Sequence, residues 1–335
     1  MTPAGGAIAQ GVGPAGDAPA VSVIMPAYNV SQFIGEALES VFAQTFKDYE
    51  VIVVNDGSPD TDELLRALAP YRGRIRYIEQ ENRGVSAARN AAIRAARGHY
   101  VAHLDPDDLW EPGYLAAQLA EFARDPSIDV LYPDALIFGD APEAGRRFMD
   151  WCPSSGEVTV ETLLGGRCHV MCSVTARRET LLRAGLFDEE LRCSEDFELW
   201  LRVLKAGGRI AYHRRLLARY RRHGASHTAD PARLAEAVLR MLDKVERTHC
   251  LAPAELGALR EMRGRVRAGA ALQEGRRAFF RGDAKAAIAR LRAANEHFRS
   301  RRLSLVLLMM RLSPRLLRRA YELRDRLFWG MDTKS

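Results

Sequence analysis

The chain has 335 residues, 47% of them hydrophobic and 27% charged, which is enough to bury one large core or two smaller ones. Its formal charge of +6 is shared by binders of nucleic acid, anionic membranes and phosphorylated ligands, so charge alone selects no partner. The longest apolar run, Leu303 to Met310, is broken by Ser304 and falls short of the roughly 20 residues that cross a bilayer.

Residues 1–20 are rich in Gly, Ala and Pro, with no basic start and no long apolar core; they read as a disordered tail and not as a signal peptide. A cytoplasmic location follows as the expectation. The five cysteines, Cys152, Cys168, Cys172, Cys193 and Cys250, are odd in number and scattered, which reads as reduced thiols. Val21–Met25 and Glu50–Val54 are β-branched runs flanking a helical pattern with Phe33, Ile34, Leu38, Val41 and Phe42 on one face. The alternation continues with strands over Arg74–Glu79, His99–Leu104 and Val130–Phe138 and helices near Val85–Arg97 and after Pro112. Such a pattern predicts an α/β fold, a mostly parallel Rossmann-like sheet flanked by helices, with ligands at the carboxyl ends of its strands. Gly139–Glu157 reads as a loop, Val170–Thr175 as a strand, and Arg178–Ala184 and Glu198–Lys205 as helices, so the sheet domain is expected over 21–228.

Over 229–335 strand signals vanish and helical periodicity takes over. Ala271, Leu272, Gly275, Ala278, Phe279, Gly282, Ala286, Ile288, Leu291 and Ala294 fit one tetratricopeptide-type hairpin or, equally, an ordinary helix pair. Beyond it, Arg299, Arg301, Arg302, Arg311, Arg315, Arg318, Arg319, Arg324 and Arg326 face only Glu322 and Asp325, and Pro314 divides the region into two short helices. This tail either lies against an anionic membrane surface or packs on the hairpin with its arginines solvated.

Three predicted strands end in polar turns at one sheet edge: Pro26, Ala27, Tyr28, Asn29; Asn55, Asp56, Gly57, Ser58; and Leu104, Asp105, Pro106, Asp107, Asp108. Alone, the last of these is a helix-capping loop. Three carboxylates within four residues repel one another unless a cation sits among them, and a hard divalent ion at a diphosphate fits that arrangement. Glu195 and Asp196 precede a helix and, as a bare acidic pair, favour its positive end. Cys168, His169 and Cys172 lack the second half of a zinc site, and Gly11, Gly13 and Gly16 precede the first strand instead of following it, which removes a dinucleotide fingerprint.

In order, PAYN (26–29), NDGS (55–58), ENRGVSAARN (81–90), DPDD (105–108) and SED (194–196) resemble the family 2 glycosyltransferases over residues 21 to about 228, of the non-processive bacterial type. The resemblance implies a GT-A fold, a nucleotide-diphosphate sugar donor (UDP or dTDP) and inverting transfer of a hexosyl or hexosaminyl unit. It implies that Pro26, Ala27, Tyr28 and Asn29 line the nucleotide pocket and that Asp56 accepts a hydrogen bond from the base. Asn82, Gly84 and Arg89 then hold the donor, Asp105 faces ribose and sugar, and Mn²⁺ or Mg²⁺ is ligated by Asp107 with Asp105 and His223. His223 belongs to a closing segment with Tyr220, Arg221, Arg222 and Ser226, where it completes the metal shell or touches the diphosphate. Asp196 resembles the general base, and Glu195 is assigned to acceptor contacts.

The implied partners are the nucleotide sugar, a glycan or lipid-linked acceptor in surface polysaccharide synthesis, and an anionic membrane surface at the inner face of the cell membrane, with no nucleic acid. A sugar nucleotidyltransferase would carry a Gly-rich basic loop after the first strand, and a processive synthase membrane helices with a Gln-x-x-Arg-Trp segment. A catalytically inactive membrane- or partner-binding scaffold would not need the acids at 56, 105, 107 and 196.

Overall fold

A strand buried on both faces reads as an unbroken apolar run, and β1 (Val21–Ala27) is one: Val21, Val23, Ile24 and Met25 have no exposed surface. The computed structural model describes residues 18–171, 173–224 and 231–313. After β1 come α1 (Ile34–Phe42), β2 (Tyr49–Asp56), α2 (Thr61–Leu68), β3 (Arg76–Gln80), α3 (Val85–Ala95) and β4 (Tyr100–His103). These form the first half of an eight-stranded sheet, with β1 pairing in parallel with both β2 and β4, and β2 with β3. Because β1 leads to β2 on one side and has β4 on the other, the strand order reverses there. That switch opens a crevice at the carboxyl ends of β1, β2 and β4.

The antiparallel pairs of this mostly parallel sheet all fall in its second half. β5 (Leu109–Trp110), α4 (Tyr114–Arg124), β6 (Val130–Gly139), α5 (Phe148–Trp151), α6 (Val160–Leu164), β7 (Thr175–Arg177), α7 (Arg178–Arg183), α8 (Glu195–Lys205) and β8 (Ile210–Arg222) complete the unit. β7 runs antiparallel to β4 and β6, β8 parallel to β6, and β5 antiparallel to β8, so the sheet is mixed, in the order β3-β2-β1-β4-β7-β6-β8-β5. The strand expected over Val170–Thr175 lies instead at Thr175–Arg177. Its ladder partners, Tyr100 to Ala102 of β4 and Val130 and Leu131 of β6, start only there.

Order begins before the tail expected over 1–20 ends. The Ala20 N–H donates to Asp48 Oδ2 (3.1 Å) and its carbonyl accepts from the Tyr100 N–H (3.0 Å). Residues 1–17, Cys172, Ser226 and everything from Pro314 onward lie outside the described residues.

The chain divides into two compact units between Ala229 and Asp230. The second contains α9 (Pro231–Thr248), α10 (Pro253–Phe280), α11 (Ala284–Phe298) and α12 (Arg301–Leu312). Ala278 and Phe279 of α10, Ala287 and Leu291 of α11 and Met310 of α12 form its buried cluster. Gly275 lets α10 and α11 approach closely: a Cβ there would stand 2.7 Å from Leu291 Cγ. The Asp283 side chain caps α11 by accepting from the Ala286 N–H at 2.9 Å.

Candidate active site

The crevice at the switch point is a cleft of about 560 Å³. Pro26 and Ala27 line it from the end of β1 and Tyr28 from the turn after it, Asp56 from β2, Asn82, Gly84 and Arg89 from the loop and helix after β3, Asp105 and Asp107 from the turn after β4, and Glu195 and Asp196 from the start of α8. Asn29 does not reach the lining. Its backbone takes a left-handed conformation (φ 54°) and its N–H donates to Ser58 Oγ (2.6 Å), joining the turns after β1 and β2.

Asp56 is buried and turned toward its own loop. Oδ1 accepts from Gln80 Nε2 (2.7 Å) and the Arg83 N–H (2.9 Å), and Oδ2 from the Gly84 N–H (2.7 Å). Two carboxylate oxygens offer about four acceptor positions, so three protein donors leave room for one more, as a base contact requires. The loop so held passes Gly84 at φ 92°, a left-handed conformation that strains any side chain, and a Cβ there would stand 2.5 Å from Arg192 Nη1 and displace that guanidinium.

At the centre, Arg89 is only 8% exposed and spans two carboxylates: Nη1 donates to Glu195 Oε1 (2.6 Å) and Nη2 to Asp105 Oδ1 (2.8 Å). Burial alone would favour loss of its proton, but Asp105 and Glu195 outweigh it and hold the guanidinium charged well above its usual range. Arg89 thus gives two of its five N–H groups to protein acids while it lines the cleft. The same pairing draws Asp105 and Glu195 toward the guanidinium.

The neighbouring residues of α3 extend this brace. Asn90 Nδ2 donates to the Phe187 carbonyl (2.9 Å) and to Glu189 Oε1 (3.1 Å), while Oδ1 accepts from the Phe187 N–H (2.8 Å). Arg83 Nη2 reaches Glu189 Oε2 at 2.6 Å. Asn90 and Glu189 were not singled out by the sequence reading, although Asn90 closes the quoted ENRGVSAARN segment; nothing in sequence spacing told its partner.

Asp108 also separates from its neighbours. It is buried and accepts from the Arg221 N–H (2.8 Å), so it pins β8 rather than facing the cleft. Asp107 keeps its carboxylate toward the cleft, with Oδ2 3.1 Å from His223 Nε2. Burial, then the nearby charge of Asp105, raise the Asp107 pKa above the ordinary carboxylate value, with His223 opposing. An acid whose charge is penalised by a second acid, beside an imidazole nitrogen, fits a hard divalent ion. Among the described residues no three His, Cys, Asp or Glu side chains converge as a cage. Two protein donors suit an ion that completes its shell with diphosphate oxygens and water.

On the opposite side, Asp196 Oδ1 accepts from the N–H of Phe197 (2.7 Å), and among the described residues Asp196 carries no ion pair. Ser194, at φ 61°, turns the chain sharply into α8 and presents this acid to the cleft. Burial and then Glu195 push the Asp196 pKa up to about 6, against the pull of Arg89.

The family model of glycosyl transferase family 2 matches residues 22–177. Residues 22–177 form a domain of that family. Chondroitin synthase of Escherichia coli is 32% identical over 204 residues, 58% of this chain and 29% of that protein. The chain spans about three tenths of the length of this and three further curated relatives it matches. Among solved structures, S. aureus TarS 1-349 in complex with UDP is similar at a TM-score of 0.59 and 20% identity, over 90% of this chain and 91% of that one. The mannosyltransferase PcManGT of Pyrobaculum calidifontis, in complex with GDP-Man and Mn²⁺, is similar at a TM-score of 0.61 and 20% identity, over 94% and 86%. At these identities the likeness establishes the GT-A fold of this family 2 chain.

The Asp196 environment sets a pH test. Its folded pKa of about 6 lies above the ordinary 3.8, so its ionised form costs stability: nothing below about pH 4, rising through pH 6, and about 3 kcal/mol above it. Asp196→Asn removes that cost. Thermal melts of the ligand-free protein should show the variant more stable than wild type at pH 7.5, with the gap closing as pH falls from 6 to 4; a gap independent of pH would contradict the assignment.

Proposed function

We propose that this family 2 glycosyltransferase carries out inverting, metal-dependent transfer of a sugar from a nucleotide-diphosphate donor to an acceptor hydroxyl. The observation that carries the reading is the division of labour among the acids: Arg89 engages Asp105 and Glu195, while Asp196, with its pKa near 6, remains at the cleft. A group poised at that value is ionised at neutral pH yet basic enough to accept a proton in the transition state. The acceptor oxygen attacks the anomeric carbon as Asp196 takes its proton, and the bond to the diphosphate breaks with its electron pair leaving on the phosphate oxygen. One displacement of this kind needs no second catalytic carboxylate and inverts the carbon.

Asp107 and His223 would hold Mn²⁺ or Mg²⁺, which supplies positive charge for the departing diphosphate. Pro26, Ala27 and Tyr28 would receive the nucleotide, with the remaining acceptor capacity of Asp56 suited to a ring N–H of uracil or thymine. The UDP named for TarS and the GDP-Man and Mn²⁺ named for PcManGT support a nucleotide diphosphate with a divalent ion. Synthesis of a surface polysaccharide or related glycan is the setting suggested by the likeness to chondroitin synthase.

No described helix is long and apolar enough to cross a membrane. Association with an anionic membrane surface is supported by α12, where Leu305, Leu308, Met309 and Leu312 are exposed at i, i+3, i+4 and i+7 beside the exposed Arg301, Arg302 and Arg311. Each arginine near such a surface contributes about 1 kcal/mol, lost with added salt.

Two measurements check these readings. Calorimetry with UDP and Mn²⁺ should show Asp107→Ala weakening binding by roughly tenfold or more, about 1.4 kcal/mol, while Asp196→Asn binds as wild type does and loses about 10²-fold in turnover. Unchanged affinity in the first variant would remove Asp107 from the metal role. The full chain should sediment with phosphatidylserine vesicles at low salt and be released at high salt, and Leu305→Glu with Leu308→Glu should abolish sedimentation; a double variant that still sediments would remove α12 from the surface.

A further inference from the structure

Segment 140–157 places an exposed tryptophan two rings away from the cleft wall. Tyr220 lines the cleft, the Phe148 ring meets it edge to face at 5.8 Å, and the Trp151 ring meets Phe148 edge to face at 6.3 Å. Trp151 keeps 39% of its surface exposed. The Arg222 guanidinium stands 4.9 Å from the centre of the Trp151 ring and 3.7 Å from the Glu143 carboxylate.

The aromatic row is anchored from below. Asp134, 1% exposed, accepts from Arg147 Nε (2.8 Å) and from the Met149 N–H (2.9 Å), and Met149 is buried. Arg147 Nη2 in turn donates to the Arg214 carbonyl at 2.5 Å. A buried carboxylate held by a guanidinium and a backbone N–H fixes Arg147 and Met149, the residues on either side of Phe148 where α5 begins. The exposed indole is thus presented rigidly, which lowers the entropy lost when something binds it.

What fits is set by chemistry. An indole face carries negative charge and attracts polarised C–H bonds, and one face of a pyranose ring is a row of such bonds with hydroxyls around its rim. A cation and a carboxylate beside the ring, Arg222 and Glu143, can donate to and accept from those hydroxyls. A purely apolar partner would desolvate this ion pair and offer it no hydrogen bond in return. The donor nucleotide is placed elsewhere, between the turns after β1 and β2, so this row extends the cleft from Tyr220 outward.

We infer that Trp151, backed by Phe148 and flanked by Arg222 and Glu143, is a subsite for a pyranose ring of the acceptor, one sugar or more removed from the hydroxyl that reacts. The inference rests on the glycosyl-transfer reading and specifies its acceptor as a carbohydrate chain.

The test uses the full chain on an oligosaccharide array, with Trp151→Ala and Trp151→Phe compared with wild type. UDP binding and acceptor-free hydrolysis of UDP-sugars serve as the control. Expected is binding of at least one oligosaccharide by wild type, weakened roughly tenfold or more in Trp151→Ala and largely kept in Trp151→Phe, with both control activities unchanged. Once a bound glycan is used as acceptor, its KM should rise in Trp151→Ala while kcat stays within about twofold. Wild type that hydrolyses a nucleotide sugar but binds no oligosaccharide, or a Trp151→Ala variant that binds as wild type does, overturns this subsite alone. Wild type that neither binds nor hydrolyses any nucleotide sugar overturns the glycosyl-transfer reading and the subsite with it.

Discussion

A guanidinium buried between two carboxylates is stable only while all three groups stay together, because removing one partner leaves a desolvated charge and costs about 3–5 kcal/mol. Arg89 meets that condition with Asp105 on one side and Glu195 on the other. Asp105 lies in the turn just after β4, and Glu195 opens α8, 106 residues beyond Arg89 along the chain. One buried cation therefore joins the proposed donor side of the cleft to the proposed acceptor side.

The rest of α3 works toward the same end. Asn90 copies a backbone hydrogen-bonding edge for Phe187, and Arg83 pairs with Glu189, so the segment leading into α8 is docked at several points before Ser194 makes its left-handed turn. Asp56 holds the start of that brace through the 80–84 loop. The arrangement also separates chemically similar acids. Asp108 accepts from the backbone of β8, Asp105 and Glu195 pair with Arg89 at the cleft wall, and Asp107 and Asp196, in the same lining, have their pKa values raised by burial.

Much of the first half of the sheet was legible from sequence because β1 and β2 are buried on both faces and read as unbroken apolar runs. β8 was not, since Arg214, Arg215, Arg219, Arg221 and Arg222 hide a strand whose partners, β6 and β5, supply its stability. The two-residue β5 has too few positions to show any period. At the site, the strand ends told which residues would converge, and those at 26–28, 56, 105 and 107 do line one cleft. They could not tell which polar groups would satisfy one another. That is why the hydrogen bonds of Arg89 to Asp105 and Glu195 were not legible, and why the three acids of 105–108 read alike when each meets a different partner.

If Arg89 holds Asp105 and Glu195 out of nucleophilic roles and leaves Asp196 to take a proton, the sugar carbon is displaced once. The most direct measurement is the anomer released when the purified protein with Mn²⁺ hydrolyses an α-linked nucleotide sugar, followed by proton NMR before mutarotation sets in. The account predicts that the β-anomer appears first. First appearance of the α-anomer would mean retention at the sugar carbon and would contradict a single inverting displacement.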